Sequence, residues 1–268
     1  MKYLLYFFLA IPFFSLAQSP ISGTLTYTYT TYGLEERYTM HFTAEAAMAY
    51  TERSEKYFFS SELVPIPGKE NSYDAIVKKT DQESNTYYKN LKEKQLVTRE
   101  MGTSYRPSIV LEEPLPEIDW QIVEDMQKTI GDFACQAAKG SYKGRRYLAW
   151  FTYQIPVSHG PWKFCGLPGL ILEIHDDTPQ KRFHFVVNTI EIGKTDFPYP
   201  IEAPKMGERI TWGEYAYMYI HAQEALDKKV KAMEAAKGGG RTLSMILEDY
   251  TKSHLEGPAF VAWEKSQK

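Results

Sequence analysis

The chain has 268 residues and a net charge of −3, with acids and bases interspersed, which excludes the basic footprint of a nucleic-acid binder and leaves no polybasic membrane patch. Its aromatic content stands out: 20 Tyr and 14 Phe favour strands, because flat rings suit a pleated surface with one wet face. Chains of this length bury roughly 70–75% of their unfolded surface, so a sizeable core is available.

Residues 3–14 form an apolar run behind a single Lys2, followed by Ser15-Leu16-Ala17. This predicts a secretory signal peptide over residues 1–17, cleaved after Ala17, and a periplasmic or secreted protein. The run is shorter than the ~20 residues of a spanning helix, and no later segment reaches that length without charges. Residues 18–268 are therefore expected to form a single domain that does not span a membrane. A lipid anchor would need a cysteine directly after the apolar run, and the two cysteines are Cys135 and Cys165.

In residues 24–30, Leu25, Tyr27 and Tyr29 alternate with threonines, the period of a half-buried antiparallel strand. Similar patterns predict strands over 38–42, 48–52, 56–60, 75–79, 86–89 and 95–100. Residues 114–116 read as an extended connector before Trp120. Strands resume near 135–140, 146–153, 170–175 and 182–192, with a turn at Ile130-Gly131-Asp132. Succession at this spacing argues for antiparallel neighbours over parallel βαβ units. Residues 212–237 place Tyr215, Tyr219, Ala222, Leu226 and Val230 at helical steps, stopped by Gly238-Gly239-Gly240, and a shorter helix is expected over 242–255. The fold class is a β-rich α+β domain: a largely antiparallel meander, open or curled into a half-barrel, with a C-terminal helical segment over about 212–255.

The densest stretch is WFTYQIPVSHGPWKFCGLPGLILEIHDD, residues 150–177. Pro156 ends one strand, and Leu167-Pro168-Gly169-Leu170 fits a type II turn with Gly169 at positive φ. Leu170 opens a strand apolar on both faces, expected to be central. Between the two strands lies a connection of about 16 residues, longer than most, whose Trp162, Phe164 and Leu167 argue for an ordered, self-packed loop. Two cysteines in an exported chain are expected to pair, and a Cys135–Cys165 disulfide would add roughly 3–4 kcal/mol in the chain-entropy model.

The order of Ile130-Gly131, Cys135, Gly144-Arg145, Tyr147, Ala149-Trp150-Phe151-Thr152, Ile155-Pro156, Gly160-Pro161 and Gly166-Leu167-Pro168-Gly169-Leu170-Ile171 resembles the GLPGLI family of exported Bacteroidetes proteins. The resemblance covers about 120–192. It implies export and a β-rich fold, and no reaction.

Glu173, His175 and Asp177 alternate, so on one strand they share a face, and with His184 from a neighbouring strand they make a candidate divalent-metal set. The competing reading is a solvated strand end. Ser158-His159 lacks a nucleophile elbow, and adjacent residues rarely face one another. Arg145-Arg146 offers an anion grip against the plainer reading of an exposed strand start. The expectation is a non-enzymatic exported binding or envelope-assembly protein. Its partner would be an envelope protein or an apolar or peptide ligand, met by the loop residues His159, Trp162, Phe164 and Leu167. No cofactor is expected, and the alternative is a metal-binding protein using Glu173, His175, Asp177 and His184.

Overall fold

The computed structural model describes residues 21–31, 34–52, 62–65, 73–76, 84–101, 107–178, 181, 183–215, 217, 218, 228 and 232. The predicted signal peptide, the strand at 56–60, most of the 212–237 helix and all of the 242–255 helix lie outside them.

Fourteen strands are described: β1 (Gly23–Thr31), β2 (Leu34–Phe42), β3 (Ala46–Glu52), β4 (Glu62–Pro65), β5 (Tyr73–Ile76), β6 (Thr86–Asn90), β7 (Gln95–Glu100), β8 (Ile109–Pro114), β9 (Gln121–Ile130), β10 (Phe133–Tyr142), β11 (Arg145–Thr152), β12 (Leu170–Asp176), β13 (Phe183–Ile192) and β14 (Glu208–Ile210). Twelve make one sheet in the order β14-β8-β7-β6-β3-β2-β1-β13-β12-β11-β10-β9, and β4-β5 pair separately. Within the runs β1-β2-β3, β6-β7-β8 and β9-β10-β11-β12-β13, chain neighbours pair antiparallel, as the alternation predicts, and the halves join where β1 meets β13. The parallel pair is β14 with β8.

Local chemistry explains the hairpins. Lys143 (φ 45°) and Gly144 (φ 79°) are both left-handed between β10 and β11, the pattern a two-residue type I′ turn demands. Between β9 and β10 it is Gly131 (φ 57°) that takes the positive angle, at the first central position.

The sheet curls. The Lys143 ammonium, at the β10–β11 turn, lies 3.1 Å from the Glu113 carboxylate on β8. The sheet order puts β11 eight strand steps from β8. A flat sheet would hold strands so separated roughly 40 Å apart, at about 4.8 Å per step. Its inner face carries Leu25 and Tyr27 of β1, Tyr38, Met40 and Phe42 of β2 and Phe185 of β13, all buried. The Tyr27, Tyr38 and Phe185 rings meet edge to face at centroid distances of 5.0–6.2 Å. All of β12 is buried, as its two-sided apolar run predicts.

Two irregular segments cover the two faces. Residues 153–169, between β11 and β12, fold onto the inner face. Residues 193–207, between β13 and β14, cross the outer face. There Phe197 lies 5.2 Å from His41, and Ile201 and Ala203 pack on Tyr88, Val97 and Val110. The chain then turns at Gly207 and starts a helix at 212. Glu214 accepts from the Thr211 amide (2.7 Å) and the Thr211 hydroxyl accepts from the Glu214 amide (3.3 Å), a capping box that begins the predicted helix where expected.

The free edge at β9 is irregular. Gln127 pairs with Gln136 and Val123 with Ala137, so residues 124–126 bulge away from β10. The Gln136 side-chain amide fills the gap, donating to the carbonyls of Val123 and Met126.

The type II turn is not formed as predicted. Gly166 takes the positive φ (97°), while Gly169 does not. Gly169 is required for a different reason: a Cβ there would lie 2.1 Å from the Thr152 carbonyl oxygen. Gly169→Ala should therefore cost about 2–3 kcal/mol by overpacking against rigid backbone. Gly193→Ala, with φ +83° and nothing within 4 Å, should cost about 1–2 kcal/mol for the left-handed backbone alone. Urea midpoints that rank the two variants the other way round would refute this packing.

Candidate functional site

The loop residues singled out from sequence are brought together, facing inward. His159 (0% exposed), Trp162 (7%), Phe164 (0%) and Leu167 (1%) belong to the interior of the curled sheet. Backbone bonds hold the loop down: Leu170 N–H donates to Ile155 O (3.0 Å), Ile171 N–H to His159 O (3.0 Å), and His159 bridges Cys165. Two buried phenols complete the attachment. Tyr27 donates to Ile171 O (2.7 Å), and the Tyr38 hydroxyl accepts from the Trp162 amide (2.7 Å). Trp162 itself sits at φ 51°, a left-handed conformation costly for a bulky side chain and held only by its surroundings.

Two charged groups that sequence reading passed over hold this plug. Lys89, on β6 and fully buried, donates to the carbonyls of Gly160 and, at 2.9 Å, Phe164. Among the described residues no carboxylate pairs with it. Burial lowers its pKa to about 8. Glu113, on β8, pairs with Lys163 of the loop and Lys143 of the β10–β11 turn. Burial alone would raise its pKa, and the two ammonium groups override that and hold it below the usual range. Lys143 also lies over the Trp212 ring at 4.8 Å, joining the helix start to the same corner. The sequence signal for Lys89 was a lysine at an inward position of an alternating strand; for Glu113, strand β8 went unpredicted.

Ser158 and His159 do not form a nucleophile pair. The Ser158 hydroxyl donates to Leu167 O (2.8 Å), while His159 Nε2 lies 3.1 Å from Thr43 O and must carry the proton. His159 Nδ1 is buried without a hydrogen-bond partner. Arg146 of the candidate anion grip lies 3.8 Å from Asp177 instead.

The predicted metal set is split. Glu173 and His184 meet across β12 and β13 at 3.3 Å, and Lys128 of β9 pairs with the same carboxylate. Burial would raise the Glu173 pKa, but hydrogen bonds from His184 and Lys128 bring it down to about 2. His175 stands edge-on to His184 at 5.5 Å, with Nδ1 donating to Asp176 O (2.9 Å). Asp177 departs to Arg146 because β12 ends at Asp176, so the alternation does not carry that far. Among the described residues no three His, Cys, Asp or Glu side chains gather to hold a metal ion. Glu173 is instead the centre of a polar row on the outer face, with Lys128 4.3 Å over the Trp150 ring.

The predicted disulfide is also corrected. Cys135 and Cys165 are separate buried thiols. Cys135 Sγ points to Phe133 O (3.5 Å) beside the outer polar row, and Cys165 Sγ to Pro116 O (3.7 Å) beside the plug. Burial pushes the Cys135 thiol up to about 11 and raises that of Cys165.

The family model described as "Protein of unknown function (Porph_ging)" matches residues 136–173, from within β10 to within β12, and so takes in the whole plug. No curated protein matches the chain. Among solved structures, PNGF-II in space group P21 aligns with a TM-score of 0.50 at 11% identity, over 75% of this chain and 33% of that one. The same protein in space group C2 gives 0.49 at 12%, over 75% and 32%. An uncharacterized conserved protein from Thermus thermophilus gives 0.37 at 8%, over 73% and 91%. The likeness to PNGF-II in its P21 form is one of fold, and the chain spans about a third of that protein's length. No helix among the described residues is long and apolar enough to cross a membrane.

Two outcomes follow from the buried groups. His159 is lowered to about 3, first by burial and then by the Lys89 charge, against its bond to Thr43 O. An unfolded histidine takes up its proton near pH 6.5 and the native one does not, so stability present above pH 6.5 is lost as pH falls toward 3. His159 alone should account for about 2 kcal/mol of the loss between pH 7 and 5, read from urea unfolding, with His41 and His175, also lowered by burial, adding to the slope in the same direction; H159N should lower the slope by the His159 share. Intact mass should be the same with and without reductant, and a thiol reagent should label both cysteines only after unfolding; a 2 Da gain on reduction would restore the disulfide.

Proposed function

We propose that the chain is an exported, non-enzymatic binding protein of the GLPGLI group, whose interior is shut by its own loop. What carries this reading is the filling of the inner face. An apolar, aromatic-walled concavity is occupied by a separate connection held through its backbone, not by side chains of the sheet itself. Ligand sites in curled sheets are apolar with a few placed polar groups, and this interior has that composition. The charged groups at the plug are engaged in seating it: Lys89 bonds the carbonyls of Gly160 and Phe164, and Glu113 pairs with Lys163 of the loop and with Lys143. The low net charge and the exposed Tyr153, Tyr199 and Met206 suit contact with a protein partner or with an apolar or peptide ligand.

Native mass spectrometry of the protein purified from its own host tests the reading. A ligand-bearing or partner-bearing series that collapses to the bare mass on denaturation is expected. A bare mass alone, with no protein co-purifying under crosslinking, would sink it.

A further inference from the structure

Lys89 raises a question that the fold alone does not answer. A buried ammonium is expensive unless it is paired, and the usual partner is a carboxylate. Glu113 pairs with Lys163 and Lys143, whereas among the described residues Lys89 meets the carbonyl oxygens of Gly160 and Phe164 and no carboxylate. Two oxygens thus converge on one cation, as the two oxygens of a carboxylate would, but without its charge.

The rest of the plug behaves like an occupant more than a wall. Trp162 is held in a left-handed conformation that a tryptophan rarely adopts, released only if the loop lifts. His159, wholly buried, leaves Nδ1 without a partner among the described residues. Trp162, Phe164 and Leu167 fill a lining that includes Tyr147, Phe183 and Phe185, the kind of surface that accepts a hydrocarbon chain.

We propose that residues 155–169 sit in the seat of an amphiphile with one carboxylate head and a long apolar tail, the carbonyls of Gly160 and Phe164 standing where the carboxylate meets Lys89. The ligand displaces the loop, its tail replacing the side chains of Trp162, Phe164 and Leu167, and its charge supplies the counter-ion that Lys89 lacks. Loop and ligand exclude one another, so affinity is set by how firmly the loop is seated. This rests on the binding reading above and adds the ligand class and the site.

The test uses the full chain without its signal peptide, with palmitate as probe and hexadecanol as its uncharged match. Palmitate should bind the wild type at least about tenfold more tightly than hexadecanol, and K89Q should remove that preference. W162G, which relieves the left-handed strain and loosens the loop, should tighten palmitate binding, with circular dichroism confirming the fold of both variants. Equal binding of the two probes, a preference that survives K89Q, or no palmitate binding by wild type at its solubility limit would overturn the proposal. The wild-type comparison needs no variant to fold. A peptide or protein found by native mass spectrometry alongside a failed palmitate test would remove this inference and leave the binding reading standing.

Discussion

The structure turns on one electrostatic requirement: the ammonium of Lys89, carried into the interior by the alternation of β6, must be solvated by something other than water. Backbone carbonyls meet it, and they come from the loop between β11 and β12, far along the chain. With the loop seated on that contact, Trp162, Phe164 and Leu167 lie against the aromatic inner face. Glu113 repeats the arrangement with opposite sign, binding Lys163 of the loop while Lys143 draws the β10–β11 turn toward β8. The curl of the sheet and the seat of the loop thus meet at one corner, through polar contacts whose individual net worth is small but whose loss would leave charges buried and unpaired.

The strands whose alternation is clean were legible in the sequence. β1, β2, β3, β6, β7 and β10 to β13 follow the period-two pattern or the two-sided apolar run of β12, because each has one face or both against a large core. β8 went unread since Glu112, Glu113 and Pro114 look like a polar connector. Glu113 is buried only because two lysines distant in sequence meet it, and no local signal reports a partner 30 or 50 residues away. β14 is three residues long and exists because the outer strap delivers it alongside β8.

The candidate site was half legible. Its residue types announced an ordered loop, and the loop is ordered, but the direction in which those aromatics point depends on curvature, which the strand pattern does not encode. Gly166 and Gly169 show the same limit at finer scale. The positive φ was read at Gly169, yet Gly166 takes the left-handed backbone, and Gly169 is needed for the absence of a Cβ beside the Thr152 carbonyl, whose position the local sequence does not report. Glu173 and His184 do meet, as the strand pairing suggested, but Lys128 arrived from β9 and made an ion-paired row of what looked like a ligand set.

A sheet of twelve strands that does not close has two ends, and each is a potential template for another chain. At one end the strand is three residues long. At the other, β9 is ten residues long and would be a continuous template were it straight. The three-residue bulge interrupts its run of outward amides, and Gln136 makes the interruption permanent by bonding the carbonyls that the bulge leaves behind. A β9 shortened by removing residues 124–126 would offer an unbroken edge, and because the opposite end is only the three-residue β14, the pairing it would favour is β9 to β9 between two copies, which closes after one contact.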